Sequence, residues 1–294
     1  MAKIAIVSSI GYGGDIQSCF KSGVVDGGLA APTIKPFPAQ GDYSNVNTQV
    51  QNAIADNPDL IVTAGGVIAA NAAAAVLNAA NSKRYIYLAG IVPSAIGPTK
   101  KGGVILNTPA QNGARLQQLT GHCDLTKVYL VVNDNNPMEA GANSEAAQWA
   151  NMGNNNVARF FAGIANPTAA NVVQVLTQAV TALAASNPTP SGLVISADPV
   201  FRLFRTELRK AFRANNTLKA VPICYPFKEY ADNSGHGFVL NKPQVSVHVA
   251  SSTKSDIQDT GYYQLGLKAG RYLSQGGDQD QGTATWDANQ NKWN

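Results

Sequence analysis

The chain has 294 residues, of which 45% are apolar and only 14% charged, and its formal net charge is +4 at pH 7. That length suits two ordinary domains with real cores, and no apolar run approaches the length of a membrane span, so direct membrane insertion is not expected. The few basic residues are dispersed rather than gathered into a Lys/Arg block, which argues against nucleic acid as a partner.

In chain order, Lys3 to Ser8 is a short apolar strand, followed by the turn Ile10-Gly-Tyr-Gly-Gly-Asp15 and a helical pattern through Val25. Thr33 to Phe37 reads as a second strand. A helix then runs from a capping Asn45 through Val46, Val50, Ala53 and Ile54, apolar at helical spacing. Asn57-Pro58 stops it, and Asp59 to Thr63 is the third strand. Gly65-Gly66 turns into an alanine-rich helix over 67–80, and Tyr85 to Ala89 is the fourth strand. After Gly102 to Asn107 the pattern starts afresh: helix Pro109 to Leu119, strand Lys127 to Val132, helix Glu139 to Met152, strand Ala158 to Phe161, helix Thr168 to Ala184 and strand Leu193 to Ile195. Helix Pro199 to Arg213 and strand Ala220 to Cys224 complete this second set. Repeated strand–helix alternation with short connections is the mark of right-handed parallel sheets. Beyond it, the alternation of Val245, Val247 and Val249 within Leu240 to Ser255 predicts an added edge strand. Asp256 to Gly277 reads as one amphipathic helix with Leu265, Ala269 and Leu273 on one stripe.

Few groups carry chemistry. Cys19, Cys123 and Cys224 form no CxxC pair and, odd in number, read as buried free thiols. His122, His236 and His248 lack ligand spacing, so neither a histidine metal site nor a cofactor is expected. There is no G-x-S-x-G elbow, no HExxH and no P-loop lysine motif, and the chain is read as a non-enzyme. The Gly11-Tyr-Gly-Gly14 turn fails the dinucleotide pattern, because Ile16 stands where the last glycine belongs and Phe37-Pro-Ala-Gln40 closes the second strand without an acid. It presents Ser8, Ser9 and backbone N–H groups at a helix start, a place for a carboxylate or other anionic group. Gly65 and Gly66 offer the same geometry; for both turns the competing reading is a tight turn and nothing more.

Tyr12, on the loop beside the first turn, either stacks on a planar ligand or fills space. Asn133-Asp134-Asn135-Asn136 follows a strand directly. It supplies donors and acceptors suited to an ammonium and a carboxylate, or caps the next helix as an Asx turn. Arg202, Arg205, Arg209 and Arg213 recur at helical spacing, the usual mark of a solvated face, with a protein docking surface as the other reading.

Several unusual residues in order carry a family resemblance. Asp198-Pro199 through Phe201, then Val221-Pro-Ile-Cys-Tyr-Pro-Phe-Lys-Glu-Tyr-Ala231, then Asn233-Ser-Gly235 resemble the substrate-binding proteins of ABC importers, in the branch with aromatic-amino-acid-binding members. Tyr262-x-x-Leu265-Gly266-x-x-Ala269 is similar to a late helix of the same family. The resemblance implies a type I periplasmic-binding-protein-like α/β fold: two Rossmann-like lobes, each a parallel sheet flanked by helices, joined by a multi-strand hinge. It places 1–107 plus 250–281 in the first lobe and 108–249 plus 282–294 in the second, with three crossings near Asn107, 240–254 and Ala284. It further implies a monomer that captures a small organic solute, an amino acid or related acid of aromatic type, and delivers it to an ABC permease.

Ligands of open α/β sheets collect beyond the carboxyl ends of strands. The expected contacts are therefore Ser8, Ser9, Tyr12, Gly65, Gly66, Asn107, Asn133, Asp134, Asp198 and Tyr225. Asp198 either meets a ligand ammonium or caps the helix after it. The competing class is a cytosolic ligand sensor of the same fold, without the N-terminal DNA-binding helix pair of a repressor. With a strand starting at Lys3 there is no room for a signal peptide. An extracytoplasmic place is expected if a leader has been removed, a cytoplasmic one if Met1 is the native start.

Overall fold

The computed structural model describes residues 1–9, 12–40, 43–64, 67–80, 83–89, 93, 96–106, 127–133, 144, 147, 150–151, 157–160, 168–185, 191–195, 201, 204–216, 223–225, 237–238, 246–247, 249–287 and 290–294. Its strands are β1 (Lys3–Ser8), β2 (Thr33–Pro38), β3 (Leu60–Ala64), β4 (Tyr85–Ala89), β5 (Lys100–Ile105), β6 (Lys127–Asn133), β7 (Val157–Phe160), β8 (Ser191–Ile195), β9 (Ile223–Tyr225), β10 (Gly237–Phe238), β11 (Thr283–Asp287) and β12 (Lys292–Trp293). Its helices are α1 (Gly14–Asp26), α2 (Val46–Ala55), α3 (Val67–Ala80), α4 (Ala169–Ala185), α5 (Arg205–Ala214), α6 (Lys254–Gln258) and α7 (Gly261–Ser274). The chain divides into two compact units, Met1–Thr108 with Pro243–Asn294, and Pro109–Lys242.

The first unit is built on a seven-stranded sheet in the order β12-β11-β5-β4-β3-β1-β2. Every pairing is parallel except that of β11 with β12. Ile4, Ala5, Ile6 and Val7 in β1 and the whole of β3 and β4 are buried. Strands covered on both faces need apolar side chains on both, which is why they read as unbroken apolar runs. β2 carries Pro36 and Pro38 and stays largely exposed; proline cannot donate to a ladder, so the strand belongs at an edge.

Right-handed crossovers set the layers. α1 leads from β1 outward to β2, α2 returns from β2 to β3, and the two therefore lie on opposite faces. α7 packs along α1 and over β3, β4 and β5; α2 and α3 pack together on the other face. Between α1 and α7 the contact is made by glycines: Gly23 on α1 and Gly27 capping its end, with Gly266 and Gly270 on α7. A Cβ at Gly23 would stand 2.1 Å from the Tyr263 carbonyl oxygen, and one at Gly266 would stand 2.1 Å from that of Phe20. The helices thus touch backbone to backbone, an approach only residues without side chains permit.

On the opposite face the alanine-rich α3 buries Ala69, Ala70, Ala73 and Ala74. Leu88 faces α7 through Gly261, so the alternation of β4 points Tyr85 and Tyr87 to the α3 side. Both rings are fully buried there, where small helix residues leave them room, and Gly103 in β5 abuts the Tyr87 ring.

The predicted single helix of 256–277 is two helices. Thr253 and Asp256 form a capping box at the start of α6. The fully buried Thr260 then caps α7 by accepting from the Tyr263 N–H at 3.2 Å while donating to the Ile257 carbonyl at 2.8 Å. A threonine that closes one helix and opens the next accounts for the break.

The second unit carries a five-stranded, wholly parallel sheet in the order β10-β9-β8-β6-β7. α4 buries Val172, Val175, Leu176, Ala179, Val180 and Leu183, an apolar stripe at helical period. Phe201 is helical and buried ahead of α5. Of the predicted helix over 139–152, Ser144, Ala147, Ala150 and Asn151 are described: Ser144 is a bend whose hydroxyl accepts from the Ala147 N–H at 3.0 Å, and the other three are helical; the predicted helix over 109–119 lies outside the described residues.

Three expectations from sequence are corrected. Residues 282–294 belong to the first unit, because β11 pairs in parallel with β5 through Thr283, Ala284 and Thr285. The chain consequently passes between units twice, after Thr108 and after Lys242, and not a third time near Ala284. Within the supposed edge strand, Ser246 and Val247 are not in a strand and Val249–Ser251 is a 3-10 turn. The Cys19 thiol donates to the Val247 carbonyl at 3.7 Å and the Asp15 carboxylate accepts from the Val249 N–H at 3.4 Å. These contacts tie the segment to α1 in place of a sheet edge.

Candidate functional site

Each sheet has one place where the strand order reverses. In the first unit the chain leaves β1 for β2 on one side and then places β3 on the other. In the second it goes from β6 to β7 and then to β8, again on either side of the starting strand. Connections at such a point run to opposite faces, so the carboxyl ends of the two central strands open into a crevice.

In the first unit that point is occupied by Ser8 and Ser9, both fully buried. The backbone fixes them from two sides: the Ala39 N–H donates to the Ser8 carbonyl at 2.8 Å, and the Ser9 N–H donates to the Ala64 carbonyl at 3.3 Å. The serines end an apolar strand where β2 and β3 both release the chain. Tyr12 stands just before α1, its ring edge-on to Phe20 with centroids 6.2 Å apart and planes at 82°. Its hydroxyl is buried and has no hydrogen-bond partner among the described residues. Burial, and then the nearby phenol of Tyr262, push its pKa well above the ordinary tyrosine value, so the hydroxyl is protonated at neutral pH.

α1 has no side-chain cap at Gly13, and Asp15 lies in its first turn. That carboxylate already opposes the positive end of the helix dipole, which weakens the anion preference expected of this turn from sequence.

In the second unit Asn133 is the last residue of β6, at the reversal point, fully buried. In register it pairs with Phe160 of β7. Tyr225 is the last residue of β9, paired with Phe238 of β10, one strand beyond β8 and so two from the reversal at β6. Gly65, Gly66, Asn107, Asp134 and Asp198 lie outside the described residues. Of the ten expected contacts, Ser8, Ser9 and Tyr12 lie on the segment from the end of β1 to the start of α1 in one unit, and Asn133 ends the corresponding strand in the other.

Two residues not singled out from sequence adjoin the first group. Thr63, fully buried near the end of β3, has a hydroxyl without a partner among the described residues; its signal was a lone hydroxyl in the apolar run Leu60 to Ala64. Tyr262, from the far end of the sequence, acts electrostatically on the Tyr12 phenol, a proximity only tertiary structure creates. The described groups at the strand ends are thus hydroxyls and an amide, suited to hydrogen-bonding a polar ligand and without a nucleophile–base pair. No group of three or more His, Cys, Asp or Glu among the described residues could hold a metal ion. A surface groove along α4, lined by Val173, Thr177, Thr181 and Glu207 of α5 among others, lies on a helix flank away from the strand ends.

No family model matches the chain and no curated protein matches it. Solved structures do. An ABC domain in complex with L-Trp from Streptococcus pneumonia superposes with a TM-score of 0.60 at 13% identity, over 93% of this chain and 84% of that one. An ABC sugar transporter subunit from Rhodobacter sphaeroides gives 0.57 at 15% identity, over 96% and 95%. A LacI family transcriptional regulator from Silicibacter pomeroyi gives 0.62 at 11% identity, over 97% and 95%. The fold is the type I periplasmic-binding-protein-like α/β fold expected from sequence, and its structural neighbours include ABC solute-binding proteins. Among the described residues no helix is long and apolar enough to cross a membrane.

Proposed function

We propose that this chain is a small-ligand binding module, a solute-binding protein that serves an ABC importer and is not an enzyme. One observation carries the reading: buried polar side chains, Ser8 and Ser9 in one unit and Asn133 in the other, end the central strand at the reversal point of each parallel sheet. Hydroxyls and an amide set at the ends of otherwise apolar strands put donors and acceptors where ligands of open α/β sheets collect. In this proposal the ligand takes contacts from the strand ends of both units. Contacts that only the closed form makes then shift the population toward closure, and a membrane permease reads that state.

The proposed ligand is an amino acid or related small acid, aromatic in type; the sequence motif from Asp198 to Ala231 and the likeness to a structure holding L-Trp support it. The hydroxyl set of the first unit suits a carboxylate or a polyol equally, and a solute-binding protein from Bacillus halodurans with bound myo-inositol shares the fold with a TM-score of 0.57. Gly65, Gly66, Asn107, Asp134, Asp198 and Tyr225 remain proposed contacts, and the protein is proposed to act as a monomer.

A second reading, a cytosolic ligand sensor, is supported by the likeness to a LacI family regulator. An in-frame apolar leader in the genomic codons upstream of Met1 favours import, and its absence favours the sensor.

A thermal-shift screen over amino acids, small aromatic acids and polyols tests the binding reading. A ligand of the folded form at a hundred times its Kd adds about 2.7 kcal/mol of stability, so a rise in Tm of several degrees with one chemical class is expected. A flat response across all three classes contradicts it.

A further inference from the structure

Tyr12 is placed as no simple packing residue would be. Its hydroxyl is buried yet unpartnered among the described residues, a state that costs roughly a lost hydrogen bond. The chain beside it is uncrowded. Gly13 is extended at φ −172°, Gly14 is left-handed at φ +53°, and a Cβ on either would meet nothing within 4 Å. The ring rests edge-on against Phe20, a contact of modest strength. The hydroxyl feels the phenol of Tyr262 on α7 electrostatically, and Tyr12 follows the strand-end serines on the segment leading from β1 to α1.

We infer that Tyr12 is a specificity-determining donor held in a parked position, whose hydroxyl gains its missing hydrogen bond from an oxygen acceptor of the ligand. The inference rests on the small-ligand reading and names the ligand chemistry it requires, a carboxylate or hydroxyl oxygen. An unpaired buried phenol raises the free energy of the empty protein, and a bound acceptor removes that penalty. The same group therefore opposes the ligand-free state and favours the bound one. Burial and the Tyr262 phenol favour the protonated hydroxyl, which can donate to such an oxygen.

Tyr12→Phe tests this with two effects of opposite sign. Without ligand, removing the unpaired hydroxyl is expected to raise Tm by about 2 °C. With L-tryptophan as the carboxylate probe and myo-inositol as the hydroxyl probe, whichever binds the unaltered protein is expected to bind the variant about tenfold more weakly. A lowered Tm without ligand overturns the inference, since it means the hydroxyl is satisfied in the folded chain. Unchanged affinity overturns it as well. If neither probe binds the unaltered protein, the proposed solute classes fail, while the parked hydroxyl still stands or falls on the ligand-free Tm.

Discussion

Replacing Gly266 with alanine is expected to destabilise the first unit by ~2 kcal/mol or more, lowering Tm by about 4–8 °C. Two effects of opposite sign compete there. Alanine is favoured over glycine inside a helix by about 1 kcal/mol, and this substitution would stabilise an exposed helix. Here the new methyl would sit 2.1 Å from the Phe20 carbonyl oxygen and 3.0 Å from the Val24 nitrogen. Those are backbone atoms of α1, which cannot rotate aside as a side-chain tip can. The helices must part, loosening the packed row of Gly23, Gly27, Gly266 and Gly270, and the overpacking outweighs the propensity gain. Gly23→Ala, whose methyl would meet the Tyr263 carbonyl at 2.1 Å, is expected to do the same from the other helix. Thermal denaturation of both variants beside Gly13→Ala, where a methyl meets open space, separates close approach from any general effect of losing glycine. A raised Tm for Gly266→Ala means that the helices are not in backbone contact.

Trp286→Ala is expected to cost about 3–5 kcal/mol. Trp286 is 3% exposed, and its ring meets Trp293 with centroids 5.3 Å apart and planes at 72°. Around it, Thr285 and Asn294 exchange backbone hydrogen bonds of 3.1 and 3.0 Å, and the Trp293 indole N–H donates to the Asp259 carbonyl at 3.2 Å. This knot holds β11 and β12 on the first sheet and closes the α6–α7 region over it. Denaturant unfolding gives the loss, and hydrogen exchange places it. Protection of the amides of β5 and β11 is expected to fall together, because the two strands share one ladder. If protection falls instead over β6 and β8, the C-terminal segment serves the second unit, as the sequence had suggested.

That difference shows where sequence reading runs out. β1, β3 and β4 were legible because strands buried on both faces must be apolar throughout, and the helices between them because their apolar residues recur at helical spacing. Thr283-Ala-Thr-Trp-Asp287 carries a strand signal too, with Ala284 and Trp286 on the buried face. Nothing local says which sheet it joins, since pairing with β5 is a contact between residues nearly two hundred positions apart. The glycines of α1 and α7 each looked like weak points in a helix; only their opposition makes them a contact surface. In the site, Ser8 and Ser9 were legible as polar residues ending an apolar strand, and Asn133 for the same reason. The burial of the Tyr12 hydroxyl was not, because no local pattern shows what the fold packs around it.

The central proposal is that the polar strand ends at the sheets' reversal points hold a small ligand, and calorimetric titration tests it most directly. The compound that raises Tm most is titrated into the unaltered chain, Ser9→Ala and Asn133→Ala. One site per chain is predicted, with each substitution, though in a different unit, weakening binding by about tenfold. Binding unchanged by both substitutions would contradict a ligand held at the reversal points.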